Sequence, residues 1–122
     1  MKTIKSEIPF FSDVDETLVL WGKVRKGQKA VSITNPETGE QHYLRVHGPH
    51  IKILKSRHAR GAYVIVWSAA GYAWAEAVVK ALKLNDYVDL IMSKPMFYMD
   101  DKHPDEFMGQ RIYLKPDDSY GT

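Results

Sequence analysis

The chain carries acidic, hydroxyl and basic side chains in an order that suits the hydrolysis of phosphate esters. From the N-terminus, the side chains that could do this chemistry are Asp13, Asp15, Ser68, Lys94, Asp100 and Asp101. In phosphoryl transfer the moving group carries charge on several oxygens, so catalysis depends mainly on positioning and electrostatic stabilisation. Carboxylates, a hydroxyl group and a lysine can meet both demands once they are brought together.

Two carboxyl groups one residue apart can divide the work of such a reaction. A carboxylate nucleophile splits hydrolysis into two easier steps. Because a carboxylate and a phosphate repel each other, a hard cation on oxygen ligands, typically Mg²⁺, and a lysine are needed beside them. A second carboxyl group can protonate the departing alcohol and later activate water. If Asp13 ends a strand and Asp15 lies in the following loop, both can flank one phosphorus atom.

Each polar feature follows an apolar run that predicts a strand. The predicted strands are residues 8–12, 62–67, 88–92, the very short 97–99, and 111–114. Residues 62–67 are continuously apolar and rich in β-branched side chains, which is typical of a strand buried on both faces. Since the carboxyl ends of parallel strands meet at one edge of a sheet, the polar residues should converge there.

The remaining pattern predicts a hairpin and two helices. Residues 30–33 and 41–46 alternate with period two around the turn-rich residues 34–40, which indicates a β-hairpin, and residues 17–21 are expected to form a short turn. One helix should open at Gly48-Pro49 and stop at Gly61, and a second should begin at Gly71. Strands alternating with helices indicate an α/β layered fold with a parallel sheet.

In type and order, these residues resemble the motifs of the haloacid dehalogenase superfamily, although the segment between Lys94 and Asp100 is short for the superfamily at large. Its first motif, a hydrophobic strand followed by DxDx[TV], reads PFFSDVDETLV here, and its second, a hydrophobic strand ending in Ser or Thr, reads VIVWS. Its third, a basic residue often followed by proline, is Lys94-Pro95, and its fourth, a hydrophobic strand ending in paired acids, reads FYMDD. Each motif alone is common as a turn or helix cap, but all four occur here in the family's order, from Phe10 to Asp101.

The resemblance implies a fold and a subgroup. The fold would be a Rossmann-like three-layer α/β sandwich with a central parallel sheet and a β-hairpin flap after the first strand. A single domain would cover residues 1–122, with the flap at about 24–47. The short segment between Lys94 and Asp100 matches the small members without a cap domain, so the hairpin would be the only lid over an open site.

For the first motif, the resemblance implies a nucleophile and a proton carrier. Asp13 would be the nucleophile and a metal ligand. Asp15 would act as general acid and then as base, with its backbone carbonyl on the metal. Thr17 would brace the loop by hydrogen bonding and belong to the phosphate-binding set.

The other three motifs imply a phosphate cradle and a metal site. Ser68 and the amide of Ala69 would bind phosphate at a helix N-terminus, which suits anions. Lys94 would neutralise the phosphate and the aspartyl-phosphate. Asp100 would bind Mg²⁺, and Asp101 would assist it or hold Lys94.

The expected function is therefore an Mg²⁺-dependent phosphomonoester hydrolase acting through an aspartyl-phosphate. A phosphorylated small molecule is the expected substrate, and exposed macromolecular phosphates would also fit an open site. A polynucleotide end-processing phosphatase is an alternative, because basic residues cluster at Lys23, Arg25, Lys26 and Lys29. A receiver-type signalling domain uses similar groups in a different order along the chain. A non-catalytic phosphate-binding module is disfavoured, since no motif position is missing.

Composition fits one soluble globular domain. The 122 residues match a normal domain size. The net charge of +2 does not point to nucleic acid as a partner, and it does not exclude one. The absence of cysteine excludes disulfides and thiol catalysis. No run approaches the roughly 18 apolar residues that span a membrane, and the N-terminal apolar stretch is too short for a signal peptide. A cytoplasmic monomer or weak homodimer is expected.

Histidines and tryptophans offer a rival site and a core. His42, His47 and His50 lie close in sequence and could bind a transition metal, although scattered surface histidines are the preferred interpretation. The tryptophans Trp21, Trp67 and Trp74 are expected in the core, with the alternative that Trp21 or Tyr98 lies near the site and stacks a base or sugar.

Overall fold

The computed structural model describes residues 8–116, which form an α/β arrangement with two small sheets. In chain order the elements are β1 (Pro9–Ser12), β2 (Val19–Leu20), β3 (Ala30–Thr34), β4 (Gln41–Val46), α1 (Gly48–Ala59), β5 (Tyr63–Ser68), α2 (Tyr72–Ala81), a 3₁₀ helix (Asn85–Tyr87), β6 (Leu90–Ser93) and α3 (Pro104–Phe107).

The first sheet is parallel and has the strand order β1-β5-β6. The register aligns Ser12 with Val66 and Ser68 with Ser93, so the three strands end at the same edge. The central strand β5 is the apolar run predicted to be buried on both faces, and most of its residues are indeed buried. The three strands predicted at residues 8–12, 62–67 and 88–92 are therefore confirmed, with ends shifted by one or two residues.

The second sheet is antiparallel, with the order β2-β4-β3. Strands β3 and β4 form the predicted hairpin, in which the Asn35 N–H donates to the Glu40 carbonyl at 2.8 Å. Gly39 adopts a φ of +76° in this turn, a conformation that costs glycine little. Residues 17–21 were expected to be only a turn, but Val19 pairs with Val46, so this segment adds the short strand β2.

Helix α1 begins and ends where the sequence predicts, and helix α2 begins where it predicts. Helix α1 has Pro49 in its first turn and is followed by Gly61 at a φ of +90°. Helix α2 follows Gly71, whose φ of +108° favours glycine. No helix within residues 8–116 is long and apolar enough to cross a bilayer.

One hydrophobic cluster joins the two sheets and the helices. Helix α2 contacts β3, β5 and β6, and helix α1 contacts β5. The members of this cluster that are almost completely inaccessible to solvent include Val14, Leu18, Leu54, Val64, Val66, Val78, Val79 and Leu84. Because Val14 and Leu18 belong to this cluster, the loop after β1 is anchored in the core on both sides of Asp15 and Glu16.

Two predicted strands are wrong. Residues 97–99 and 111–114 contain no strand, and Phe97 and Met99 are 90% and 99% exposed. A three-residue apolar run offers few ladder hydrogen bonds, and hydrophobicity alone does not separate a strand from an exposed loop, because much of a folded surface is apolar. Within residues 8–116, β1 pairs with β5 alone and lies at the edge of its sheet.

Candidate active site

Three predicted site residues lie together where the parallel strands end. Asp13 directly follows β1, Ser68 is the last residue of β5, and Lys94 directly follows β6. The Lys94 N–H donates to the Ser68 carbonyl at 2.9 Å, which ties the end of β6 to the end of β5. The convergence expected at the sheet edge is therefore present for these residues.

The Asp13 carboxylate is held at both oxygens. Lys94 Nζ lies 3.1 Å from Asp13 Oδ1, and the Thr17 hydroxyl donates to Asp13 Oδ2 at 3.0 Å. The Lys94 and Asp13 side chains are 36% and 35% exposed, so a ligand can reach the pair from solvent. Thr17 thus hydrogen-bonds to Asp13 itself within this loop.

The loop after β1 explains why acidic residues alternate with an apolar one. The Val14 carbonyl accepts hydrogen bonds from the N–H groups of Thr17 and Leu18 at 3.2 and 2.8 Å, which closes a tight turn. Glu16 takes a positive φ of 61° within it. With Val14 fully buried, Asp13 and Asp15 are half-buried on either side of it.

The Asp15 carboxylate is held by two tryptophans. Trp21 Nε1 and Trp74 Nε1 both donate to Asp15 Oδ1, at 2.8 and 3.0 Å. Trp74 is buried as expected, but Trp21 is 39% exposed, so its placement in the core was wrong. The imidazole of His42 packs edge-on against both indoles, with ring centroids 4.9 and 5.8 Å away. Sequence reasoning missed this role for the indoles.

The segment after β5 has the form of an anion cradle. The Ser68 side chain is fully buried, and its Oγ accepts a hydrogen bond from the Ala70 N–H at 3.0 Å. The Ser68 carbonyl accepts from the Gly71 N–H at 3.1 Å, just before α2 begins. Ala69 is exposed, and the hydrogen bonds within residues 8–116 do not use its N–H, so that group is available to an incoming oxygen.

Within residues 8–116, the second acidic pair makes no hydrogen bond or ion pair with Asp13, Ser68 or Lys94. Asp100 and Asp101 are both exposed, and Asp100 Oδ1 accepts a hydrogen bond from the Lys102 N–H at 3.0 Å. Among residues 8–116, no group of three or more His, Asp or Glu side chains is arranged to hold a metal ion. Carboxylates are the ligands that Mg²⁺ prefers, but Lys94 and Thr17 already contact the two oxygens of Asp13, and the described residues present no assembled ligand set for the ion.

The neighbouring histidines are not scattered over the surface, which corrects the preferred interpretation. His47 and His50 are both buried at the start of α1. His50 Nδ1 lies 2.7 Å from the Thr17 carbonyl, so one imidazole supports the loop that carries Asp13. His50 Nε2 and His47 Nε2 each lie 2.8 Å from the backbone of Leu114, which fixes the segment near residue 114 beside that loop. The burial of two polar rings was not visible in their spacing.

Comparisons with protein-family models, curated proteins and solved structures find no match to this chain.

Proposed function

We propose that this chain hydrolyses phosphate monoesters through a phospho-aspartate at Asp13, in the manner of the haloacid dehalogenase superfamily. The observation that carries the proposal is the contact set of one carboxylate. Asp13 lies at the end of a parallel strand, with Lys94 Nζ 3.1 Å from one oxygen and the Thr17 hydroxyl 3.0 Å from the other. A lysine in that place lowers the repulsion between a carboxylate and a phosphate that approaches it.

In the first half-reaction, an Asp13 oxygen attacks phosphorus while the bond from phosphorus to the leaving oxygen breaks. Asp15 gives its proton to that leaving oxygen, so an alcohol departs rather than an alkoxide. The Ala69 N–H and the Ser68 segment before α2 would bind the non-bridging oxygens, since N–H groups at a helix start attract anions. Lys94 neutralises charge on the phosphoryl group as it transfers.

In the second half-reaction, water replaces the alcohol and the enzyme is regenerated. Asp15, now ionised, accepts a proton from water as the water oxygen attacks phosphorus. The bond between phosphorus and the Asp13 oxygen breaks, which releases inorganic phosphate. Because Asp13 and Asp15 are separated by the buried Val14, one carboxylate can remain in line with phosphorus while the other faces the departing group.

Mg²⁺ belongs to the proposal as an ion that would screen the phosphate from the carboxylates when bound. Within residues 8–116, Asp100 and Asp101 make no hydrogen bond or ion pair with Asp13, so the steps above are assigned to the chain's own side chains alone. Whether turnover requires Mg²⁺ is tested by a separate measurement.

The proposal includes the finer fold, a Rossmann-like three-layer sandwich in which the β3–β4 hairpin is a flap over an open site. Two observations support a flap. Helix α2, whose N-terminus borders the cradle, contacts β3. At the hairpin turn, Glu37 Oε1 would lie 3.9 Å from a β-carbon built on Gly71, so the turn reaches the start of α2. Phosphorylated small molecules are the proposed substrates.

The test compares Asp13→Asn with Asp86→Asn, which removes an exposed carboxylate in the 3₁₀ helix. With p-nitrophenyl phosphate and a panel of phosphorylated metabolites, in the presence of Mg²⁺, the parent and Asp86→Asn should release phosphate. They should also carry a covalent phosphoryl label that survives acid and is removed by hydroxylamine, which is the behaviour of an acyl phosphate. Asp13→Asn should lose both signals.

The outcomes separate the competing functions. Near-normal turnover by Asp13→Asn would rule out the proposed mechanism. A parent protein that keeps its label without releasing phosphate would favour a receiver-like signalling domain. Binding of phosphate without labelling or turnover would favour a non-catalytic module. Turnover restricted to phosphorylated oligonucleotide ends would favour the polynucleotide phosphatase.

A further inference from the structure

The two indole N–H groups that meet at Asp15 converge on the same oxygen. Trp21 Nε1 and Trp74 Nε1 lie 2.8 and 3.0 Å from Oδ1, and within residues 8–116 no donor lies in hydrogen-bond contact with Oδ2. An indole N–H can only donate, so neither tryptophan can accept a proton from the carboxyl group. The two oxygens of Asp15 are therefore chemically different in this structure.

Separate elements fix the two donors. Trp74 lies in the first turn of α2 and is 3% exposed, while Trp21 directly follows β2 and is 39% exposed. The Trp21 N–H donates to Glu16 Oε1 at 2.9 Å, and an Arg45 guanidinium nitrogen lies 3.1 Å from the Trp21 carbonyl oxygen. The backbone of the exposed tryptophan is thus held on both sides, so its indole approaches Asp15 from a defined direction.

The need of a buried indole for an acceptor accounts for only one of these bonds. Trp74 is buried, and a buried N–H must find a partner inside the protein. Trp21 is exposed enough for water to serve its N–H, yet it donates to the same oxygen that Trp74 already uses. The bond from Trp21 therefore serves the carboxyl group rather than its own indole.

We infer that Trp21 and Trp74 are positioning residues that reserve Oδ2 of Asp15 as the atom that carries the proton. This inference rests on the proposed function. When Asp15 is protonated, Oδ1 stays occupied by the two N–H groups and the hydrogen is on Oδ2. In the first half-reaction the Oδ2–H bond breaks and the leaving oxygen gains that proton as its bond to phosphorus breaks. In the second, Oδ2 gains a proton from the attacking water.

The kinetic test uses phenylalanine, which keeps an aromatic ring and removes the N–H. Trp21→Phe and Trp74→Phe are compared with Trp67→Phe, which removes the indole N–H of the tryptophan on β5. Trp21 and Trp74 together are called the clamp on Asp15. For kcat/KM with an alkyl phosphate, whose leaving group needs a proton, Trp21→Phe and Trp74→Phe should each lose about tenfold or more. With p-nitrophenyl phosphate, whose leaving group needs little protonation, the loss should stay within about threefold. Trp67→Phe should change both substrates little.

An equal loss with both substrates would show a merely structural role and overturn the inference, as would no loss with either. Trp21→Phe decides the matter if Trp74→Phe does not fold, because Trp21 is partly exposed.

A second readout tests the clamp without turnover. In ¹⁵N-labelled protein, Asp15→Ala should shift the indole Nε1–H resonances of Trp21 and Trp74 and leave that of Trp67 in place. Unmoved resonances overturn the inference even in an active enzyme. Shifted resonances in a protein that hydrolyses neither phosphate support the clamp geometry and refute the proposed function, and with it the catalytic role of the clamp.

Discussion

The imidazole rings of His47 and His50 lie parallel, with centroids 3.7 Å apart and an interplanar angle of 4°. His50 Nε2 accepts a hydrogen bond from the Leu114 N–H, so its Nδ1 must donate to the Thr17 carbonyl if the ring is neutral. His47 Nδ1 accepts from the His50 N–H at 3.3 Å, which leaves its Nε2 to donate to the Leu114 carbonyl. Each ring is satisfied in one neutral tautomer.

This pair predicts that stability falls in mild acid. Burial lowers the pKa of His50 below its ordinary value, and the nearby His47 lowers it further, while the hydrogen bond to the Thr17 carbonyl opposes the shift. Because the unfolded chain then binds the proton more readily, the stabilisation is present above the ordinary histidine pKa of about 6.5 and is lost as the pH falls below it. Urea midpoints measured between about pH 8 and 5 should decrease.

The control is a substitution that removes the titration. His50→Gln should be less stable at neutral pH but should show a flatter dependence on pH, whereas His103→Gln, which changes an exposed histidine, should follow the parent. A parent protein whose urea midpoint does not change over this range would contradict the assignment of neutral tautomers.

The site residues that could be predicted from the sequence are those whose positions follow from the local pattern of apolar and polar residues. Asp13, Ser68 and Lys94 follow apolar runs with strand composition, and the meeting of strand ends in a parallel sheet brings them together. The β3–β4 hairpin was likewise predictable, because Asn35 and Gly39 are residues that turns favour.

The contacts that the sequence did not predict join residues far apart in the chain. Asp15 meets Trp74 across 59 positions, and His50 meets Leu114 across 64. A single sequence shows the residue types at both ends of such a contact but not that they meet. The strand predicted at residues 97–99 was wrong for another reason, since an apolar run does not show whether a neighbouring strand is there to pair with it.

Lys94 should matter far more for catalysis than for stability. Lys94→Met removes the charge 3.1 Å from Asp13, so turnover should fall by about a hundredfold or more. Because both side chains are about a third exposed, with 36% and 35% of their surface accessible, the ion pair should contribute no more than about 1 kcal/mol to the free energy of unfolding. Steady-state kinetics and urea denaturation measure the two effects.

The matched control for this change is Lys80→Met, on the exposed face of α2. It should leave both turnover and the free energy of unfolding near the parent values. If Lys94→Met retained parent-like turnover, Lys94 would have no part in charge neutralisation.

Removal of divalent ions should abolish phosphate release. EDTA is expected to stop turnover and Mg²⁺ to restore it, because a doubly charged cation offsets the charge of a phosphate beside Asp13 and Asp15. Full activity in EDTA would remove Mg²⁺ from the proposal. Restoration by zinc alone, together with loss of activity in His42→Ala, would favour a histidine metal site.

The basic segment before the hairpin should set the preference for large anionic substrates. Lys23, Arg25 and Lys26 are exposed, and they precede the hairpin whose turn reaches the start of α2. Their combined replacement by Gln should raise KM for a phosphorylated oligonucleotide or polyanionic metabolite by several-fold, and leave p-nitrophenyl phosphate within about twofold. The attraction acts through solvent, so added salt should shrink the difference between parent and variant. Equal effects on small and large phosphates, or a difference that salt does not change, would assign recognition of the leaving group to another part of the site.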